Sequence, residues 1–434
     1  MSPEVTSDNG DEEKKAAYKA KIVRALTINM ITNVIGVAFP LNADLDLYTT
    51  QLFKGDSGAA AAAMTKVAGL SGLVEFAFNP TLGVVSDSIG RRALFIVPPI
   101  ISAICSVVMA LGQKRGATLL MSVNLLRRTL VTWSGSVATM MMLGDITSGK
   151  EYGMLFAQIF GSAGFGMIIA PALSMAVYKA VPSTSLIYFL GAGACLLSAG
   201  NNYLNLPETL PRERRKPFAG FVNPLAFLKL FTYNTQMSKT VLAAGATSFA
   251  EGKNLHELTM IWLRNNVGLS TNQVSVYIIC WGSMLIFGNA KLAPLMLRGL
   301  GVRLFTTLTN SANALNYFMQ TLLPKSSYPI PMIALAMTFF APGMNGTNGS
   351  GLKGWGTTHA IRAGLGSGEY AGLFANLRAL TVALAPLLYG RVYNNLTKNN
   401  LNAGLVWAAV AGLGSIAPEI LMRTVRDPED EKKP

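Results

Sequence analysis

Several ionisable side chains of this chain lie inside long apolar stretches, where a charge needs a partner or water. On insertion scales a charged side chain at the centre of a bilayer costs roughly 3 kcal/mol, so each one predicts an ion pair, a water-filled cavity or a proton-exchange step. We predict that these side chains and the nearby amides border one shared cavity. The candidates are Asn33, Glu75, Asn79, Arg127, Arg128, Glu251, Lys253, His256, Asn345 and Arg378.

Glu75 is the sharpest of these candidates. It precedes Asp87 by twelve residues, which at a rise of about 1.5 Å per residue puts it near the middle of a membrane helix. Asn79 lies one turn further along the same face. Glu75 could pair with Arg127 or Arg128, or it could bind a substrate or a proton. The two roles are compatible, because burial raises a carboxyl pKa and an opposite charge lowers it.

A second ionisable cluster falls within one predicted span and consists of Glu251, Lys253, His256 and Glu257. Lys253 and Glu257 have the four-residue spacing that pairs side chains on one helix face. The cluster could be a self-neutralising network that only fixes helix packing. Alternatively, His256 could serve a proton-coupled step, since histidine has an unperturbed pKa near neutrality.

Two further features lie in later spans. Arg378, accompanied by Asn376, could meet an anionic substrate group or could extend its charge toward the membrane interface. The segment 343–351 is rich in glycine and amide side chains, Asn345 among them. Such a segment permits either a broken helix lining a cavity or close packing of helices through small residues.

The elements that must position these groups are membrane-spanning helices. The chain has 434 residues, of which 51% are hydrophobic and only 13% charged, a composition too apolar for a soluble protein of this size. Apolar runs of about 20 residues, the length that crosses a bilayer, predict an all-α integral membrane protein with twelve transmembrane helices. The runs cover residues 22–41, 59–85, 93–112, 117–143, 153–178, 184–204, 238–263, 272–290, 304–323, 329–352, 369–393 and 402–423.

A repeat and a linker divide the twelve spans into two pseudo-symmetric six-helix bundles. Ala170–Tyr178 resembles Ala385–Tyr393, and in the same order Ser148–Gln158 resembles Ser367–Asn376, although chance similarity between apolar sequences is the alternative. A proline-rich and charged stretch between the halves reads as a linker. The predicted divisions are a tail at 1–20, bundles at 21–204 and 238–423 with a linker at 205–237 between them, and a tail at 424–434.

The basic residues are distributed as in membrane proteins. Although the net charge is +14, Lys and Arg concentrate in alternate connections, which predicts that the linker and both termini are cytoplasmic. Nucleic-acid binding would need one contiguous basic face, so we predict no nucleic-acid partner. The three cysteines fall within predicted spans, and we predict no metal and no cofactor. We further predict a monomer in the plasma membrane or an endomembrane.

The loop between the second and third spans carries the most specific motif, Gly-Val-Val-Ser-Asp-Ser-Ile-Gly-Arg-Arg over residues 83–92. It resembles the signature loop of the major facilitator superfamily. The resemblance implies that the two bundles rock about a central cavity near the bilayer midplane. It also implies that Gly83, Asp87, Gly90, Arg91 and Arg92 form a gate that latches the cytoplasmic side when that side is shut.

Within this family the first half is similar to the drug:proton antiporters of the tetracycline-exporter type. Gly144-Asp-Ile-Thr147 resembles their loop between helices four and five, and Leu206-Pro-Glu-Thr-Leu210 resembles the sequence after their helix six. Either Arg127 or Arg128 matches their intramembrane arginine. In their helix-five motif a glycine precedes the proline, whereas here Ala170 does, so obligatory antiport stays open.

The resemblance implies a secondary transporter of a small organic solute, working by alternating access with proton coupling. A uniporter or symporter of the same fold is the nearest alternative, and it differs only in coupling. A membrane enzyme is disfavoured, because the chain has only two histidines and no His-Glu-x-x-His motif. A receptor built on a transporter fold would be indicated by a lost signature loop, but that loop is intact here.

Overall fold

Apolar helices dominate the computed structural model of this chain. It describes residues 6–113, 116–147, 149–218, 220–288, 292–322, 344–365 and 367–426, which contain helices and no strand. Among these residues, seven helices are long and apolar enough to cross a membrane. The order of the segments is consistent with the twelve predicted spans, although residues 329–343 of the tenth lie outside the described residues.

We number the helices α1 to α12 in chain order. In the N-terminal half these are α1 (Thr6–Ala38, continued by Leu41–Asp46 and a π turn Leu47–Leu52), α2 (Ser57–Ile89), α3 (Ala93–Leu111), α4 (Ala117–Thr132, Trp133–Val137 and Ala138–Ile146), α5 (Gly149–Ala180) and α6 (Thr184–Asn205). In the C-terminal half they are α7 (Thr235–Thr247, Ser248–Ala250 and Gly252–Asn265), α8 (Thr271–Phe287), α9 (Ala293–Leu322), α10 (Met344–Arg362), α11 (Ser367–Lys398) and α12 (Leu405–Ala411, Gly412–Ile416 and Ala417–Arg423).

Helix α7 is interrupted, although its sequence predicts one continuous span over 238–263. A 3-10 turn at Ser248–Ala250 leads into Glu251, whose backbone is extended (φ −63°, ψ 138°) and forms the N-cap of Gly252–Asn265. The Glu251 side chain makes no capping hydrogen bond. The break therefore leaves a carboxylate available for contacts with other helices in the middle of the span.

The two halves meet along two pairs of helices, α2 with α11 and α5 with α8. Glycines permit the close approach. A methyl group on Gly72 of α2 would lie 2.7 Å from backbone atoms of Ala383 on α11. Similarly, a methyl group on Gly164 of α5 would lie 2.8 Å from the carbonyl oxygen of Gly282 on α8.

The buried apolar residues are arranged differently at the two ends of the helices. We call the end that carries residues 83–92 the signature end, and the other the opposite end. At the opposite end one shared core contains residues of both halves, such as Tyr48 and Tyr188 together with Trp262 and Tyr389. At the signature end the halves have separate cores, one around Phe95 and the other around residues of α7, α10, α11 and α12. In the described residues, a core shared by both halves is therefore found at the opposite end, whereas the cores at the signature end belong to one half each.

The linker does more than separate the two halves. Its 3-10 helix Pro224–Phe231 packs against both α2 and α11. Phe227, 4% exposed, stacks edge-on against Phe76 of α2 with ring centroids 6.0 Å apart. The Asn376 amide of α11 donates to the Pro224 carbonyl oxygen. Phe76 lies thirteen residues before the end of α2, which is about 20 Å at the helical rise. The linker therefore extends about that far along the interface between α2 and α11, which we call the seam between the halves.

Candidate functional site

The signature segment 83–92 is held in place by a network of acidic and basic side chains within the N-terminal half. Gly90 ends α2 with φ +102°, a conformation that favours glycine. Arg91 pairs with Asp87 at 2.7 Å and reaches Asp145, at the end of α4, at 3.2 Å. Arg92 donates to the Tyr203 carbonyl oxygen on α6. These contacts tie the predicted gate residues Asp87, Arg91 and Arg92, at the end of α2 and in the connection to α3, to α4 and α6 of the same half.

Glu208 completes this network, and it was missing from the sequence-based candidates. Its carboxylate accepts from the backbone amides of Arg91 (3.0 Å) and Arg92 (3.2 Å) at the start of α3. A methyl group on Gly90 would lie 2.4 Å from Glu208 Oε2, so the carboxylate occupies the space that glycine leaves. The signal in the sequence is the acid of Leu206-Pro-Glu-Thr-Leu210, which follows α6 directly. Anions are favoured at such a helix start.

Arg127 belongs to a buried network at the opposite end of the N-terminal half. Its guanidinium contacts Asp44 at 2.5 Å and the Asn124 amide oxygen at 2.9 Å. The Tyr188 hydroxyl donates to the other oxygen of Asp44 at 2.6 Å. Asp44 is 1% exposed. The sequence offered Glu75 as a partner for Arg127, and this alternative is wrong, because the turn after α1 brings Asp44 over α4.

Two ion pairs join the halves near the opposite end. Arg128 of α4 pairs with Glu257 of α7, which is 4% exposed. Arg264, in the last turn of α7, pairs with Asp46 after α1. The four-residue spacing made Lys253 a possible partner of Glu257, but the Lys253 side chain lies outside the described residues. In the described part of the chain the Glu257 carboxylate contacts Arg128 of the other half. Both ion pairs bridge the same side that the shared core closes.

A third ionic cluster lies where α7 is broken. The Arg378 guanidinium of α11 holds the Glu251 carboxylate with two nitrogens, Nε at 2.7 and 2.9 Å and Nη2 at 2.6 Å. Lys353 of α10 approaches the same carboxylate at 3.8 Å, and the Ser248 hydroxyl donates to it at 3.3 Å. We call Glu251, Arg378 and Lys353 the Glu251 cluster. The sequence-based candidates included Glu251 and Arg378 but not Lys353.

Glu75 lies on the other side of the seam from this cluster. It is 3% exposed on α2, and its charge acts on the Arg378 guanidinium. The pairing of α2 with α11 brings the two residues together. The structure thus joins three predicted cavity residues, Glu75, Glu251 and Arg378, although they come from separate helices and both halves.

The remaining predicted residues are placed elsewhere. Asn33 donates to the Val131 carbonyl oxygen at 3.1 Å and so joins α1 to α4, while Asn79 accepts from the Trp133 indole at 3.1 Å. Among the described residues, no partner is found for the buried Nε2 of His256. The side chains of Lys253 and Asn345 lie outside the described residues. In the described part of the chain, no His, Cys, Asp and Glu side chains group so as to hold a metal ion.

The two ends of the helices differ in how the halves are joined. At the opposite end the shared core and two ion pairs join the halves, whereas at the signature end each half has its own core. The Glu251 cluster is buried on one side yet partly accessible, since 39% of the Arg378 side chain and 37% of that of Lys353 are exposed. Charged groups from both halves therefore meet at a seam that is sealed on one side.

No protein-family model matches the chain, but its fold is similar to those of solved membrane transporters. The structure of the D-xylose-proton symporter gives a TM-score of 0.71 at 15% identity, covering 94% of this chain and 98% of that one. The nucleoside transporter NupG gives 0.69 at 14% identity, over 93% of this chain and 100% of that one. The human organic anion transporter MFSD10 gives 0.64 at 16% identity, over 93% and 99%.

The chain has the all-helical fold of these solved transporters, and several of its helices are long and apolar enough to cross a membrane. The predicted fold class is thereby confirmed, and the twelve-helix count is consistent with it. The three solved structures are those of solute transporters rather than enzymes. The resemblance to the drug:proton antiporter branch stays a prediction.

Proposed function

We propose that this protein carries a small organic solute across a membrane by alternating access, coupled to protons. The observation that carries the proposal is that the two halves are joined differently at the two ends of the helices. One shared core and two ion pairs join the halves at the opposite end, and separate cores leave the signature end without equivalent packing. A rigid-body rocking of the halves would separate them at the opposite end and bring them into contact at the signature end.

The orientation and the boundaries are part of the proposal. The basic connections favour a cytoplasmic signature end, so the described state would open toward the cytoplasm. The bundles would comprise residues 21–204 and 238–423, and the linker 205–237 would lie on the cytoplasmic side with both tails. Rocking toward the opposite state would bring the gate residues of 83–92 against the C-terminal half. The protein would act as a monomer.

Proton coupling is supported by the position of Glu75. Its carboxylate is buried at the seam, beside Arg378 of the other half. If the halves move apart there, the carboxylate loses a nearby positive charge, so its surroundings differ between the two states of the cycle. The D-xylose-proton symporter is one of the solved structures with this fold. Uniport on the same fold is the competing proposal.

The test uses proteoliposomes that contain the purified protein and a trapped pH-sensitive dye. Solutes are first chosen by a thermal-shift screen at two pH values, and each is then added outside the vesicles. We expect at least one solute to move the internal pH with wild-type protein, and Glu75→Gln to abolish that change. Glu213→Gln, an exposed linker residue, is the matched control and should behave as wild type.

Two results would contradict this proposal in different ways. Solute flux that neither drives nor follows a pH gradient would favour uniport and reject the coupling. Unchanged coupling in Glu75→Gln would remove this residue from the proton pathway. If no solute of the panel crosses the membrane, the transport proposal itself is rejected.

A further inference from the structure

We infer that the Glu251 cluster is a binding site for a small organic anion, whose carboxylate replaces that of Glu251 on Arg378 and Lys353. The inference rests on the proposed function, because it assigns the substrate class of the same carrier. It depends on the donor and charge balance at the break in α7, which the sequence alone did not reveal.

Hydrogen-bond donors outnumber acceptors at this site. A guanidinium offers five N–H groups and an ammonium three, whereas one carboxylate offers two oxygens. Arg378 donates from Nε and Nη2 to Glu251. In the described residues, its Nη1 has no acceptor. Lys353 is 3.8 Å from the same carboxylate, which is beyond a good hydrogen bond. Two cations thus contact the single carboxylate of Glu251 and have donors left for another.

The charges give the same answer. Among the groups whose contacts the structure describes, Arg378 and Lys353 carry two positive charges, and Glu75 and Glu251 carry two negative ones when ionised. Once either carboxylate is neutralised by a proton, these four groups carry one positive charge at bilayer depth. A buried net charge is unfavourable, and a monovalent anion removes it. A cationic solute would instead add to the surplus of donors, and a neutral solute would leave the charge uncompensated.

The location also suits a ligand. About two fifths of the Arg378 side chain is exposed, although the residue lies eleven positions into α11. Its charged neighbours come from α7, α10 and, across the seam, α2. We therefore place its exposed edge in the space between the halves. The second segment of α7 also begins at this point, and the start of a helix favours negative charge.

Binding would proceed by exchange. The incoming carboxylate takes the guanidinium and ammonium contacts, and Glu251 loses its two counter-charges. A carboxylate stripped of its partners at this depth takes a proton, so one anion and one proton enter together and the total charge of the site does not change. The charged groups that act on Glu251 in the described residues are Arg378 and Lys353, and Ser248 is its uncharged neighbour. Glu75 acts on the Arg378 guanidinium.

The experiment measures binding in detergent, where no transport is needed. The probes form three sets, and each set has one carbon skeleton and three different polar groups. The first set is benzoate, benzamide and benzylamine, and the second is hexanoate, hexanamide and hexylamine. The third set is succinate with its diamide and its diamine. Each is tested by thermal shift and by calorimetry between pH 5 and pH 8 at constant ionic strength. We expect carboxylates alone to bind, and to bind more tightly at low pH.

Three variants identify the site. Arg378→Gln should weaken carboxylate binding by about tenfold or more, the scale of a lost charge-assisted bidentate contact. Lys353→Gln, a more exposed change, should weaken it less and keeps the test available if Arg378→Gln does not fold. Glu251→Gln removes the competing carboxylate, so anions should bind without pH dependence. Arg423→Gln, which changes an arginine at the exposed end of α12, is the matched control.

The outcomes separate this inference from the proposed transport. It is overturned if amides or amines bind as well as carboxylates, if no carboxylate binds, or if binding is equal in wild type, Arg378→Gln and Lys353→Gln. Retained pH dependence in Glu251→Gln would reject the exchange with this residue. Carboxylate binding at this site without any flux in proteoliposomes would support the site and reject the carrier.

Discussion

Replacing Asp46 with asparagine removes one charge from an ion pair that joins the two halves only at the opposite end. Arg264 and Asp46 are partly buried, with 24% and 15% of their side chains exposed. Exposed pairs contribute up to about 1 kcal/mol, and breaking fully buried ones costs about 3–5 kcal/mol. For this intermediate burial we take about 1–2 kcal/mol. In the proposed cycle the pair forms only while the opposite end is closed, so the whole effect would act on the conformational equilibrium.

At about 1.4 kcal/mol per factor of ten, Asp46→Asn should shift the population toward opening of the opposite end by roughly 5- to 30-fold. Spin labels at Leu111→Cys and Leu401→Cys report this opening. The two leucines are 72% and 56% exposed, and they lie at the opposite end, one in each half. Cys105, Cys195 and Cys280 are first replaced by alanine. Double electron–electron resonance then gives the fraction of the longer distance.

Two controls accompany this measurement. Arg423→Gln breaks the Glu419–Arg423 pair, which lies within α12 and cannot distinguish the two states, so it should leave the distances unchanged. The exchanged pair Asp46→Arg with Arg264→Asp should restore part of the closed population. If Asp46→Asn leaves the distance distribution of wild type, the ion pair does not stabilise closure, and the reasoning from burial is refuted.

Two other predictions concern the gate and the buried network. Asp87→Asn should lower the turnover number more than it changes substrate affinity, because Asp87 pairs with Arg91 at the gate; flux and binding measured on the same variant check this, and a normal rate with altered Kd would oppose it. Asp44→Asn leaves Arg127 buried without its counter-charge and should destabilise the fold by about 3–5 kcal/mol. Thermal unfolding measures this, and the double variant with Arg127→Gln should recover part of the loss.

Sequence reasoning succeeded where the physics is local. Hydropathy over about 20 residues predicts membrane helices, because every backbone polar group must be satisfied within the span, and seven helices of the described residues are long and apolar enough to cross a membrane. The glycines and charges of 83–92 identify the connection between α2 and α3, although residues 83–89 form the end of α2 rather than a loop. Sequence reasoning also identified Glu75, Glu251 and Arg378 as charges in need of partners, since an isolated charge in an apolar run is unfavourable wherever the helix lies.

The partners themselves could not be read from the sequence. Arg127 pairs with Asp44, which is 83 residues away, and Arg378 with Glu251, which is 127 residues away. A helix turned by one residue about its axis rotates a side chain by about 100°, so the identity of each pair depends on helix rotation and crossing angle. Lys353 was overlooked for the same reason, because its proximity to Glu251 exists only after α7 and α10 pack together.

The amino-acid sequence by itself predicted the all-helical fold with apolar membrane-spanning helices, and it identified the residues that carry costly charges. Those properties follow from local hydropathy and motif chemistry. Only the tertiary structure decided that α7 breaks at Glu251, that the linker lies between α2 and α11, and that the opposite end is the closed one. These depend on how distant helices pack, and packing energies belong to pairs of segments rather than to any one of them.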